Sequence, residues 1–191
     1  MCTRLRHDFP SVAISRSVTS RKPRNGEVDG VDYDFVDEGT FAKMIEDEAF
    51  VEWAQVHDNY YGTTRTVVDG LLAQDRDVLF DIDYQGAAGI RAMYPRAVTV
   101  MLLPPSYETL ETRLRGRNTD AEDVIQTRMH NARGEIAQLV DFDYVIVNDD
   151  LEQSYDQLRS VFVAARCRPW EQRALLAQRF AIEIEPNVFK L

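Results

Sequence analysis

The chain has 191 residues, a length that suits one domain with a small inserted lobe and room for a sizeable core. Its 45% hydrophobic and 28% charged residues are ordinary for a globular protein, and a formal charge of -10 argues against nucleic acid or an anionic membrane as the main partner. Any anion site must therefore be a local arginine cluster on an acidic body. Cys2 and Cys167, without CxxC or Cys/His spacing, argue against structural zinc and against a disulfide. No apolar run reaches the ~18 residues of a membrane span. The opening MCTRLRHDFPSV lacks a signal-like apolar region, so the expected compartment is the cytoplasm.

In chain order, SVAISRSV reads as one strand, followed by an arginine-rich turn and a second short strand over 31–36. DEGTFAKMIEDEAF has helical spacing, with acids at the end that favours them. FVEWAQVH alternates as a strand, placing Phe50, Glu52 and Ala54 on one side and Val51, Trp53 and Gln55 on the other. NYYGTT reads as a turn into a helix over 65–73.

DVLFDID, AVTVMLL and DYVIVN are near-continuous apolar runs, the pattern of strands buried on both faces. Helices are expected between and after them, over 85–93, 107–115, 121–139 and 151–165. This alternation predicts an α/β fold, a parallel sheet covered by helices on both faces. Residues 17–75 would form a smaller lobe, 113–128 a lid, and 169–191 a C-terminal extension. The extension reads as an amphipathic helix with Trp170, Ala174 and Ala177 on one side, then FAIEIE as a half-exposed strand.

Arg21 and Arg24 flank Pro23 ahead of NGE, so a stiff turn presents two guanidiniums together. Arginine forks match phosphate oxygens, and Tyr33 and Tyr61 add hydroxyl donors. A solvated basic loop would look the same. Glu52, inside an apolar strand, wants a partner. Guanine offers one in its adjacent N1–H and exocyclic amine, with Ser17 or Thr63 hydroxyls available to its acceptors; a salt bridge across the lobe is the alternative.

Asp81 and Asp83 fall at a strand's C-terminal end, where ligands of parallel sheets gather. One could support Mg2+ through water and the other reach an acceptor nucleotide, or both could cap a helix. RLRGRNTDAEDVIQTRM supplies Arg113, Arg115, Arg117 and Arg128 around a Gly/Asn/Thr break. That pattern suits a lid carrying charge to a transferring phosphoryl group, or a surface helix with glutamate partners. His7, His57 and His130 share no triad or metal spacing.

Taken together, TSRKPRNGEVDGVDYDFV, FVEWAQVHDNYYGTT, VLFDIDYQGA, LLPPSYETLETRLRGRNTD and YVIVNDDL resemble the signatures of the guanylate kinase family, in order, from about Leu5 to Ala165. The resemblance implies a P-loop kinase-like fold and transfer of the γ-phosphoryl of ATP to GMP, with Mg2+ accompanying ATP. It implies that Ser17, Glu52, Thr63 and Asp83 hold guanine, and that Arg21, Arg24, Tyr33 and Tyr61 hold the GMP phosphate. Arg113, Arg117 and Arg128 would clamp the phosphates in the transition state, and Asn148 would lie near adenine.

Two departures accompany the resemblance. The family's opening strand, its GxxxxGK[ST] motif and the helix that motif caps have no counterpart in these 191 residues. Asn118 stands where a glycine is usual, and asparagine tolerates the left-handed conformation. Three readings stay open on sequence alone: a kinase whose motif lies upstream of this sequence, a P-loop-lacking kinase, or a non-catalytic GMP-binding or protein-interaction module.

Overall fold

The computed structural model describes residues 1–56, 58–116 and 122–184. The chain divides into two compact units, Met1–Ala97 and Val98–Leu191.

The first unit opens with a helix, α1 (Cys2–Asp8), whose Leu5 is buried. No helix was expected ahead of the first strand, so this is a correction. The run SVAISRSV also forms two short strands rather than one. These are β1 (Val12–Ile14) and β2 (Val18–Thr19), and they belong to different sheets. The three residues between them make the switch. Ser15 N donates to Leu79 O, the last link to one sheet, and Ser17 O accepts from Asp34 N, the first link to the other.

β1 pairs in parallel with β6 (Asp77–Leu79), with Val12 opposite Asp77 and Ile14 opposite Leu79. Arg76 fixes this register by donating to the Ser11 and Val12 carbonyls at 2.9 and 3.0 Å.

The second sheet runs β3-β2-β5-β4, with β3 (Asp34–Phe35), β4 (Phe50–Val56) and β5 (Asn59–Thr64). NYYGTT, expected as a turn, is β5. Its aromatic and β-branched residues prefer the pleated surface, and that preference outweighs the single glycine. Gly62 is required where it stands: a Cβ there would lie 2.9 Å from both Phe50 Cδ1 and Trp53 Cβ.

A bulge in β4 decides which side chains face the site. Phe50 pairs with Thr64 and Glu52 with Thr63, so Val51 is an extra residue. The expected alternation, with Phe50, Glu52 and Ala54 on one side, therefore fails at its first member. Phe50 joins Trp53 over Gly62, while Glu52 stays with Ala54 on the opposite face.

The extra residue also lets one strand serve two cores. Phe50 packs with Val18 and Phe41, the latter from α2 (Glu38–Glu46), while Val51 packs with Val68 and Ile90 from α3 (Arg65–Leu72) and α4 (Tyr84–Met93). The Phe41 ring stacks on Phe50 at 4.6 Å and on Tyr60 at 5.4 Å between centroids. Asp37 caps α2 by accepting from Thr40 N at 2.8 Å, satisfying one of the helix's free N–H groups.

In the second unit β7 (Val100–Leu103) pairs in parallel with β8 (Tyr144–Val147). Between them lie α5 (Tyr107–Gly116), α6 (Glu122–Ala137) and a 3-10 turn, Gln138–Asp141. α7 (Leu151–Arg166), capped by Asp150, packs on β8 and buries Ser154, Tyr155 and Leu158.

The apolar run of β8 was expected to be covered on both faces. Ile146 is buried, but Tyr144, Val145 and Val147 are exposed, because α7 covers one side only. In the C-terminal segment the expected helix forms as α8 (Arg173–Phe180) without burying a residue. The strand expected of FAIEIE does not form over residues 181–184: Ala181, in the left-handed conformation (φ 53°), ends α8, and residues 182–184 join no sheet. Glu185 lies outside the described residues.

Candidate functional site

The loop from Arg21 to Phe35 is held by its own carboxylates. Arg24 O accepts from Glu27 N across a tight turn, with Gly26 at φ +89°, a position that favours glycine. The Glu27 carboxylate accepts from Arg21 Nη1 and Nη2, each at 2.9 Å, and from Arg24 N at 2.7 Å. One acid thus ties the fork of the first arginine to the backbone of the second. This contact holds the Glu27 carboxyl at about 2, well below the usual carboxylate range.

Asp29 and Asp32 accept from Phe35 N and Val28 N at 2.9 and 2.8 Å, and Arg16 pairs with Asp34. Tyr33 is thereby set against Tyr61, ring centroids 6.2 Å apart, with the Arg21 guanidinium 5.3 Å from the Tyr33 ring centre.

Ser17, Tyr33, Glu52, Tyr61 and Asp83 line one concavity, together with Ala54, Val56, Asp81 and Ile82. Thr63, fully buried, faces Glu52 across the β4–β5 ladder. Glu52 Oε1 and Thr63 Oγ1 are both buried without a hydrogen-bond partner among the described residues. Burial pushes the Glu52 carboxyl above its ordinary value; Thr63, close by although its hydroxyl is outside hydrogen-bond geometry, pulls it back, and the charge of Asp83 adds to the rise. Asp83 caps α4, its Oδ1 accepting from Gly86 N at 2.9 Å. The first turn of α4 carries a partial positive charge, which helps two acids share the pocket. Burial, followed by the neighbouring Tyr61, raises the Tyr33 hydroxyl as well, so Tyr33 keeps its proton and can donate.

In the second unit Arg113 is exposed on α5 and Arg128 half-buried on α6. The two helices pack together, with Leu114 and Ile125 buried. Arg115, grouped by sequence with the lid arginines, has a different position. It bonds Glu111 at 2.8 Å on its own helix and Glu122 Oε1 at 2.7 Å on the next, which ties α5 to α6. Arg117 and Asn118 lie outside the described residues. Asn148 follows β8 and donates its backbone N–H to Leu103 O at 2.7 Å.

The family model for guanylate kinase matches residues 2–165 of this chain. The chain belongs to that family. It is 44% identical to the guanylate kinase of Syntrophotalea carbinolica over 187 residues, 98% of this chain and 89% of that protein. That match reaches beyond residue 165 into the C-terminal segment. The guanylate kinase of Oleidesulfovibrio alaskensis is 51% identical over 170 residues, 87% of this chain and 82% of that one. The crystal structure of guanylate kinase from Anaplasma phagocytophilum superposes with a TM-score of 0.74 at 31% identity, covering 95% of this chain and 92% of that one. The fold is accordingly the α/β fold of that family.

Three further residues bear on the site and were not singled out by sequence. Glu27 holds Arg21, and its signal was the bare NGE that follows the arginines. Gly86 and Gly89 approach Glu52 closely enough that a Cβ on either would touch it. Their signal was a helix with two glycines three residues apart.

Proposed function

We propose that this chain transfers the γ-phosphoryl group of ATP to GMP, giving ADP and GDP, with the acceptor bound in the first unit. The observation that carries this is Glu52. Its buried Oε1 has no partner among the described residues, and it sits in a pocket with Ser17, Tyr33, Tyr61 and Asp83. Guanine answers that carboxylate with two adjacent donors, the N1–H and the exocyclic amine, while Ser17 and Thr63 serve its acceptors and Asp83 completes the base contacts. Adenine presents N1 as an acceptor and would leave Glu52 unpaired, a mismatch of the kind that discriminates strongly.

The GMP phosphate is assigned to Arg21, Arg24, Tyr33 and Tyr61. Arg21 reaches Glu27, Lys22 O and the Tyr61 hydroxyl, so its guanidinium already stands among the groups assigned to the phosphate. The attacking oxygen belongs to a phosphate already largely ionised near neutral pH, so no general base is required. Arg113, Arg117 and Arg128 are assigned to the transferring phosphoryl group and Asn148 to adenine, and together they position the donor and neutralise charge.

Mg2+ would be held chiefly by nucleotide phosphates, with Asp81, in the pocket lining, as a water-mediated support. When bound, the ion would neutralise phosphate charge. These 191 residues hold no GxxxxGK[ST] motif of their own. Phosphate stabilisation of comparable kind is worth about 10³ to 10⁵ in rate, so slow turnover is expected of the chain as written.

The test is ADP and GDP formation from Mg-ATP and GMP by this chain, with Arg113→Ala as the control for a contaminating kinase. GMP-dependent turnover lost in Arg113→Ala is the expected result. GMP binding without any ADP formation would mean either a binding module or a kinase whose phosphate cradle lies outside these 191 residues.

A further inference from the structure

Two acids and two glycines meet where α4 lies against β4. A Cβ on Gly86 would stand 2.7 Å from Glu52 Oε2 and 3.2 Å from Ile82 Cβ, and one on Gly89 would stand 3.1 Å from Glu52 Cβ. Three residues apart on one helix, the glycines face the same side and flank Glu52 at its tip and its root. The same first turn fixes Asp83, through the bond from Gly86 N.

The helix itself has no use for either glycine. Neither has a positive φ, and each costs a helix interior about 0.5–1 kcal/mol against alanine. Gly70, in α3, faces open space and makes the contrast. What the two glycines of α4 provide is room for one carboxylate.

We propose that Gly86 is a specificity-positioning residue, whose missing side chain leaves the space in which the Glu52 carboxylate is held toward the acceptor base, with Gly89 backing the root of the same side chain. This rests on the acceptor reading above and adds to it the element that aims the carboxylate. The atom nearest the added methyl is the free end of a flexible side chain. Gly86→Ala is therefore accommodated by turning the carboxylate, with Ile82, whose Cβ and Cδ1 would stand 3.2 Å away, giving by a few tenths of an ångström, while the fold and the phosphate grip stay intact. A turned carboxylate no longer meets the ring N–H and the exocyclic amine together. A base bearing both donors then loses more than a base bearing the ring N–H alone.

The experiment titrates GMP and inosine monophosphate, which lacks the exocyclic amine, into the full chain and its variants. Gly86→Ala is expected to reduce the preference for GMP over inosine monophosphate roughly tenfold, with Gly89→Ala showing a smaller loss. Gly70→Ala should leave the preference intact, and the thermal midpoint of Gly86→Ala should not fall. Shortening the acid relieves the contact, so in the Glu52→Asp background Gly86→Ala should cost little preference beyond what Glu52→Asp alone costs. Glu52→Gln separates the two levels of the argument. If Glu52→Gln loses the preference and Gly86→Ala keeps it, the positioning role is wrong. If Glu52→Gln keeps it, the acceptor reading beneath is wrong. Should Gly86→Ala fail to fold, the accommodation argued here is wrong, and an unchanged preference in Gly89→Ala would remove the remaining support.

Discussion

Arg21 and Arg113 are assigned to the same kind of ligand, yet the molecule holds them in opposite ways. Arg21, in the first unit, is forked onto Glu27, backed by Lys22 O and set beside two aromatic rings before any phosphate arrives. Arg113, in the second unit, stands exposed on α5, one turn ahead of residues 117–121. A site that must recognise one base gains from fixed geometry, because every misplaced donor costs discrimination. Groups that stabilise a transferring phosphoryl are needed only in the transition state, and early binding by them does not raise the rate. On this account recognition is built into the first unit and rate into the second.

Breaking recognition should give the largest effect. Glu52→Gln replaces an acceptor of two donors with an amide that presents donors of its own, and GMP affinity should fall roughly 100-fold, about 2.7 kcal/mol, by calorimetric titration. The same variant should be somewhat more stable without ligand, on the order of 1 kcal/mol in urea, because a buried charge has been removed. The sign follows from the raised Glu52 value. The carboxyl takes up its proton more readily folded than unfolded, so the folded state is favoured below the ordinary value and that advantage is lost as pH rises through the raised one. GMP binding runs the other way, strengthening over the same rise as the carboxylate forms.

Next in size is the phosphate grip. Arg21→Ala should weaken GMP by roughly 30-fold while keeping the preference for guanine over adenine, since one charged bond network is lost and the base contacts remain. Glu27→Gln should weaken GMP by less, roughly tenfold, because the arginine survives and only its anchor is softened. With the Glu27 carboxyl held at about 2, the anchor in the wild-type protein should survive acidification to well below the usual carboxylate range and be lost only toward that value.

The smallest effect is expected at Arg115. Its bonds to Glu111 and Glu122 are exposed, so Arg115→Ala should barely change stability in urea and leave GMP affinity unchanged. A large loss of GMP binding there would contradict the division between the two units.

How much of this was legible in the sequence depended on whether the signal was local. The helices over 85–93, 107–115 and 151–165 form nearly as their periodicity dictates, and Asp37, Asp83 and Asp150 cap helices as residues of their type do. The residues assigned to the acceptor came from motif and chemistry together, and most of them line one pocket. What was not legible depended on partners distant in sequence. SVAISRSV divides between two sheets because one half pairs with β6 and the other with β5, a competition no window of eight residues contains. The bulge at Val51 follows from two cores claiming adjacent residues, and it moves Phe50 off the face of Glu52. NYYGTT carries turn and strand signals at once, and pairing with β4 decides for the strand. The importance of Gly86 is invisible until the carboxylate across from it is seen.

The most direct test of the central claim, that the first unit is a guanine-reading acceptor site, is a crystal structure of this chain soaked with GMP. The account places the ring N–H and exocyclic amine within hydrogen-bond distance of Glu52, about 3 Å, with the phosphate on Arg21 and the hydroxyls of Tyr33 and Tyr61. A purine bound with its acceptor edge toward Glu52, or GMP absent from this pocket at saturating concentration, would contradict it.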